Sequence, residues 1–230
     1  STQGVSSAAS DVYKRQELRF LMSKVSLEKL NDVQFDVLKE IGNIGAGNAT
    51  TALSTMLNVK MDMSVPNVAL IQFKDISTII GSEDQTVVGI LLELGGDIDG
   101  MMMFIFDTRS AHHLVNSLML QDDSKDNDSA EFTEMEMSAL NEIGNIASGS
   151  YLTAISSLTN MNIIADVPQM TIDMVGALLS VPASEFGKYG DKLLLIQTQF
   201  GELDFVKGYF LLIPELESYD KILRSLGVID

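Results

Sequence analysis

The chain has 230 residues, 46% of them apolar, and its 32 acidic against 15 basic side chains give a net charge of −17. That apolar share is ample for a packed core in one large or two small domains, while the charge repels phosphate backbones and anionic membranes and argues against nucleic acid as a partner. The sequence has no cysteine, which excludes disulfides and thiolate metal ligands and permits a cytoplasmic address, and no apolar run approaches the roughly 20 residues of a bilayer span, so no membrane insertion is expected.

Residues 1–21 lack apolar periodicity and are predicted to be a disordered leader or a non-native addition, with Met22 a plausible natural start. The apolar cluster over 18–22 is too short for a secretory signal. A helix is predicted from Asp32, then strands over 68–73, 86–94 and 101–106 and a helix over 110–120. Residues 121–131 contain Asp122, Asp123, Asp126 and Asp128 and read as a solvated connector, because they lack the glycine and terminal glutamate of an EF-hand. A second helix is predicted from Glu134, followed by strands over 171–175, 193–200 and 207–213 and a last helix over 215–226.

The second half thus repeats the order of the first, and it also repeats its residues. Residues 36–66 match residues 138–168 at 13 of 31 positions at a constant offset of 102, where ordinary composition gives roughly two. The start signals align too: Asn31 with Gln34, and Thr133 with Glu136, each fit a reciprocal N-terminal cap. At the glycines Gly100 and Gly208 the offset has grown to 108, which predicts about six inserted residues in a loop near 184–192. A three-stranded half would leave a sheet edge and an apolar face uncovered. The expected fold is therefore one α/β domain over 22–230 with internal pseudo-two-fold symmetry. Two helix-strand-strand-strand-helix repeats, about 32–120 and 133–228, share one sheet, with helices packed on its faces.

On the first repeated helix Asp36, Glu40, Asn43 and Gly47 advance by four, three and four and fall within a narrow arc, while Val37, Ile41 and Ile44 lie round the cylinder toward the core. Ser138, Glu142, Asn145 and Gly149 have the same geometry on the second. A single polar pair is ordinarily the wet side of an amphipathic helix. Two copies on the same face are harder to attribute to solvation, since asparagine is a poor interior helix residue. Gly42, Gly45, Gly47, Gly144 and Gly149 each cost a helix roughly 1 kcal/mol relative to alanine. Close packing would explain them, and so would a need at Gly47 and Gly149 to clear space for a partner beside the polar arc.

Other constellations are weak. His112 and His113 are adjacent and point about 100° apart on a helix, unlike a zinc-binding pair. A serine or cysteine triad lacks support, no phosphate loop follows a strand, and the methionines, Met101 to Met103 included, read as core filling. No metal site and no cofactor of the chain's own is expected.

The spacing Asp or Ser, three residues, Glu, two residues, Asn, 22 residues and Pro occurs at Asp36, Glu40, Asn43, Pro66 and at Ser138, Glu142, Asn145, Pro168. It resembles the signature of the CheC/CheX/FliY phosphatases, from about Met22 to the C-terminus. Two copies on one chain are similar to the CheC branch; CheX-like chains carry one, and FliY-like chains add a flagellar-switch domain for which nothing remains after Asp230. The resemblance implies a cytoplasmic chemotaxis enzyme that dephosphorylates the aspartyl phosphate of the response regulator CheY. An acyl phosphate is already reactive, so positioning a water in line can suffice, and a carboxamide holds that water without adding negative charge. Asn43 and Asn145 are the residues for that role. Glu40 and Glu142 are implied to anchor the partner through a lysine, with magnesium in the partner's acidic pocket. Asp36, Ser138, Gly47, Gly149, Pro66 and Pro168 are read as support. The resemblance also offers the deamidase CheD as a partner, which leaves open a non-catalytic module that holds CheY or regulates CheD. A structural role in the flagellar switch ranks third.

Overall fold

The computed structural model describes residues 30–64, 67–72, 75–121, 129–186, 192–201 and 208–229. The predicted leader, most of the acidic connector and Pro66 lie outside them. The chain runs α1 (Asp32–Leu57), β1 (Asp62–Met63), β2 (Asn67–Gln72), α2 (Ser77–Ile80), β3 (Thr86–Gly96), β4 (Gly100–Asp107) and α3 (Thr108–Met119). It continues through α4 (Glu134–Thr159), β5 (Ile163–Ala165), β6 (Gln169–Met174), α5 (Val175–Phe186), β7 (Lys192–Gly201), β8 (Gly208–Pro214) and α6 (Leu216–Ser225).

The long helices start where their capping residues require. Asn31 Oδ1 accepts from the Gln34 amide at 3.0 Å, and Gln34 Oε1 accepts from the Asn31 amide at 2.9 Å. Thr133 Oγ1 accepts from the Glu136 amide at 3.3 Å, and Glu136 Oε2 accepts from the Thr133 amide at 2.7 Å. Each box satisfies two backbone donors that a helix start leaves unpaired. The ends repeat as well: Asn58 and Asn160, 102 apart, both take the left-handed conformation, with φ of 54° and 56°, which asparagine tolerates better than most residues.

All strand pairs are antiparallel. The sheet has β1 and β2 side by side along β7, then β8, β4 and β3, with β5 and β6 along the far side of β3. The opening strands of each repeat therefore pair with the other repeat: β2 lies on β7 and β6 on β3. At the centre β4 meets β8. Counting three residues on from Gly100 and from Gly208 gives Met103 and Leu211, which face each other across that pair and mark the pseudo-two-fold axis.

Alternation along the strands feeds two cores. Met102, Phe104 and Phe106 join Leu38, Ile41 and Leu53 of α1, Leu140, Ile143 and Tyr151 of α4, and buried residues of α3 and α6. Met101, Met103 and Ile105 point to the opposite face, where Ile76 before α2 and Val175, Leu178 and Leu179 of α5 cover them. The three methionines are buried core residues, as expected. The helix α5 is a departure from expectation: Val175 opens it instead of ending a strand, and its counterpart in the first repeat is the four-residue α2. Part of the added length of the second repeat therefore lies in a helix. Leu178 rests directly over Gly89, where an added Cβ would come within 1.9 Å of Leu178 Cδ1.

Candidate functional site

Helices α1 and α4 pack against each other on one face of the sheet. Their crossing is set by a small residue under a large one. A Cβ on Gly45 would lie 2.7 Å from the ring of Tyr151, which is wholly buried and stands against Phe210, 5.9 Å between ring centroids. Phe210 in turn meets Phe104 edge-to-face at 4.8 Å across the central strand pair. At Gly144 a Cβ would approach Ile90 Cδ1 to 2.8 Å, so α4 also lies tight on β3. These two glycines serve packing. Burial pushes the Tyr151 phenol well above its ordinary range, and its hydroxyl has no partner among the described residues.

The polar arcs face away from this packing. Leu38, Ile41 and Gly45 are buried, Val37 is half-buried and packs against the core, Ile44 is a half-buried flank, and Asp36, Glu40 and Asn43 are exposed. On α4, Leu140, Ile143 and Gly144 are buried while Ser138, Glu142, Asn145 and Gly149 are exposed. Among the described residues, no hydrogen bond or ion pair engages the side chains of Glu40, Asn43, Glu142 or Asn145. Two acceptor carboxylates and two carboxamides are thus presented to solvent with their bonding capacity uncommitted.

Gly149 differs from the packing glycines. Nothing lies within 4 Å of the position its Cβ would take, and at Gly47 the nearest atom is Met63 Sδ at an ordinary 3.7 Å. Gly149 lines an open groove of about 600 Å³ with Asn48, Thr51 and Thr55 of α1 and Ser150 and Thr153 of α4. Asn48 with Ser150, and Thr51 with Thr153, are related by the 102 offset, so the groove straddles the pseudo-two-fold. Its polar α1 side chains bond back to their own helix: Asn48 donates to the Ile44 carbonyl, Thr51 to that of Gly47 and Thr55 to that of Thr51. Of the two closing prolines, Pro168 stands immediately before β6 as read, and Pro66 lies outside the described residues.

Two residues passed over in the sequence complete the arcs. Val33 and Met135, again 102 apart, are 63% and 66% exposed in the first turns of α1 and α4. The offset alone could have singled them out. Among the described residues no group of three or more histidine, aspartate or glutamate side chains is placed to hold a metal ion, and no helix is long and apolar enough to cross a membrane.

Comparison with known proteins bears on this geometry. A model of the CheC-like family matches residues 33–70 and 135–172, one segment in each repeat. The chain is 34% identical over 201 residues to the CheY-P phosphatase CheC of Bacillus subtilis, covering 86% of this chain and 96% of that protein. The chain belongs to the CheC family. Both segments matched to the CheC-like model contain a long helix and its polar arc. Among solved structures, FliY of Thermotoga maritima superposes with a TM-score of 0.69 at 21% identity over 86% of this chain and 98% of that one. A chain of a CheX-CheY-BeF3-Mg2+ complex from Borrelia burgdorferi superposes with a TM-score of 0.50 at 19% identity over 76% of this chain and 96% of that one. At those identities the likeness is one of fold, and it places this CheC family member among proteins built on the same layered sheet.

Proposed function

We propose that this chain is a chemotaxis phosphatase that hydrolyses the aspartyl phosphate of CheY, through two equivalent centres on α1 and α4. The observation that carries the reading is the duplicated, solvent-facing and uncommitted Glu-x-x-Asn: Glu40 with Asn43, and Glu142 with Asn145. Membership of the CheC family, with a relative named as a CheY-P phosphatase at 34% identity, supports CheY as the substrate.

In this mechanism the glutamate accepts from a cation beside the phosphorylated aspartate and fixes the partner's orientation. The asparagine, three residues further along the same arc, hydrogen-bonds a water and holds it in line with the phosphorus. Water attacks, the bond between phosphorus and the aspartyl oxygen breaks, and inorganic phosphate leaves with the free carboxylate restored. No nucleophile of the chain is consumed, because an acyl phosphate needs position more than activation. Magnesium would be held by the phosphorylated partner's acidic pocket, not by this chain, and would supply charge neutralisation for the departing carboxylate. Asp36, Ser138 and Pro168 frame the arcs, and Gly149 leaves the partner's backbone room to approach.

The test follows inorganic phosphate released from purified phospho-CheY with and without this protein. Acceleration above the spontaneous rate is expected, and it should vanish in Asn43→Ala/Asn145→Ala. A double variant that retains full activity would refute the water-positioning role.

A further inference from the structure

We infer that Val33 and Met135 are apolar anchors for the phosphorylated receiver, so that each centre reads an apolar depression on its partner as well as the phosphorylated aspartate. This inference rests on the proposed reading of the Glu-Asn arcs as the receiver-binding faces. From Val33 the arc continues through Asp36, Glu40 and Asn43 in steps of three, four and three, and from Met135 through Ser138, Glu142 and Asn145 in the same steps. These positions lie within about a quarter of the helix circumference, with the apolar residue about 15 Å along the axis from the asparagine.

Isolated exposed hydrophobics are ordinary, and three observations set this pair apart. Val33 and Met135 occupy the same position in both repeats and are similarly exposed. Neither is needed for the helix start: the staple positions flanking each capping box are Leu30 with Phe35 and Phe132 with Met137, and Leu30, Phe35 and Phe132 pack against the core. Both are continuous with the uncommitted polar side chains, so a partner seated on the glutamate and asparagine extends over them. The chemistry that fits is a receiver with a cation beside its phosphorylated carboxylate and an apolar hollow one and a half nanometres away.

The experiment measures binding to CheY carrying beryllofluoride on its aspartate, and steady-state hydrolysis of phospho-CheY, for the parent chain and for Val33→Ala/Met135→Ala. Removing an apolar side chain buried only in the complex should raise Kd and KM by about tenfold or more while kcat stays within twofold. The melting temperature should hold, because both side chains are largely exposed in the free protein. Val33→Ile/Met135→Leu should restore affinity. Unchanged Kd and KM in the alanine variant would overturn the anchors while leaving the phosphatase reading intact. Weakened binding in a chain that releases no phosphate would uphold the anchors and overturn the catalysis. No binding by the parent chain would overturn both.

Discussion

Glu40 and Asn43 are one helical turn apart, yet the mechanism gives them different kinetic signatures. Glu40→Gln/Glu142→Gln should chiefly raise KM, since losing one partner of a partly desolvated ion pair costs about 2 kcal/mol or more in binding. That penalty should shrink as salt rises. Asn43→Ala/Asn145→Ala should chiefly lower kcat, by about 10²-fold or more, with little salt dependence. Saturation kinetics at two ionic strengths checks both, and asparagine variants that lose affinity at full kcat would make the arcs docking surfaces only. The glycines divide on stability instead. Gly149→Ala meets open space and should raise stability by up to about 1 kcal/mol, whereas Gly45→Ala drives a methyl into the buried ring of Tyr151 and should cost about 1–3 kcal/mol. At the symmetry-related positions the residues are Ala49 and Ala147. In a Tyr151→Ala background the Gly45→Ala cost should therefore disappear, and additive melting shifts would show that the ring is not the obstacle.

The two helix starts provide a comparison between elements within one molecule. Around Glu136 burial raises the pKa, but the amide and hydroxyl of Thr133 and the nearby His112, 3.9 Å away, outweigh it and hold the carboxyl below its ordinary 4.5. A depressed folded-state pKa contributes stability that is complete above the unfolded value and lost as pH falls through the folded one. Glu136→Ala should accordingly cost about 1 kcal/mol at neutral pH, with the deficit narrowing below about pH 4. Gln34, the corresponding cap on α1, carries no charge, so Gln34→Ala should cost a similar amount at every pH. Parallel denaturation curves at pH 7 and pH 3.5 test the contrast. These starts were legible in the sequence because a capping box is a local pattern, complete within four residues. Helix α5 was not: its apolar run 177–179 and Pro182 obscure helical periodicity, and what fixes it as a helix is the apolar sheet face it covers.

For the whole molecule, the sequence carried the duplication, the shared sheet and the exposed faces of α1 and α4, because a constant offset and helical spacing are one-dimensional quantities. It did not carry the fit of Tyr151 over Gly45, which depends on how two helices cross, nor which strands neighbour which. With β2 seated on β7 and β6 on β3, each half lends its opening strands to its sibling, an exchange of the kind seen in swapped dimers but closed within one chain. A polypeptide ending in the connector would be left with bare strand edges and half an apolar face. Separately produced fragments 1–125 and 126–230 should each be poorly folded, yet when mixed should reconstitute a one-to-one heterodimer with the parent's circular dichroism. Stable, monomeric fragments would mean that either half can close its own sheet.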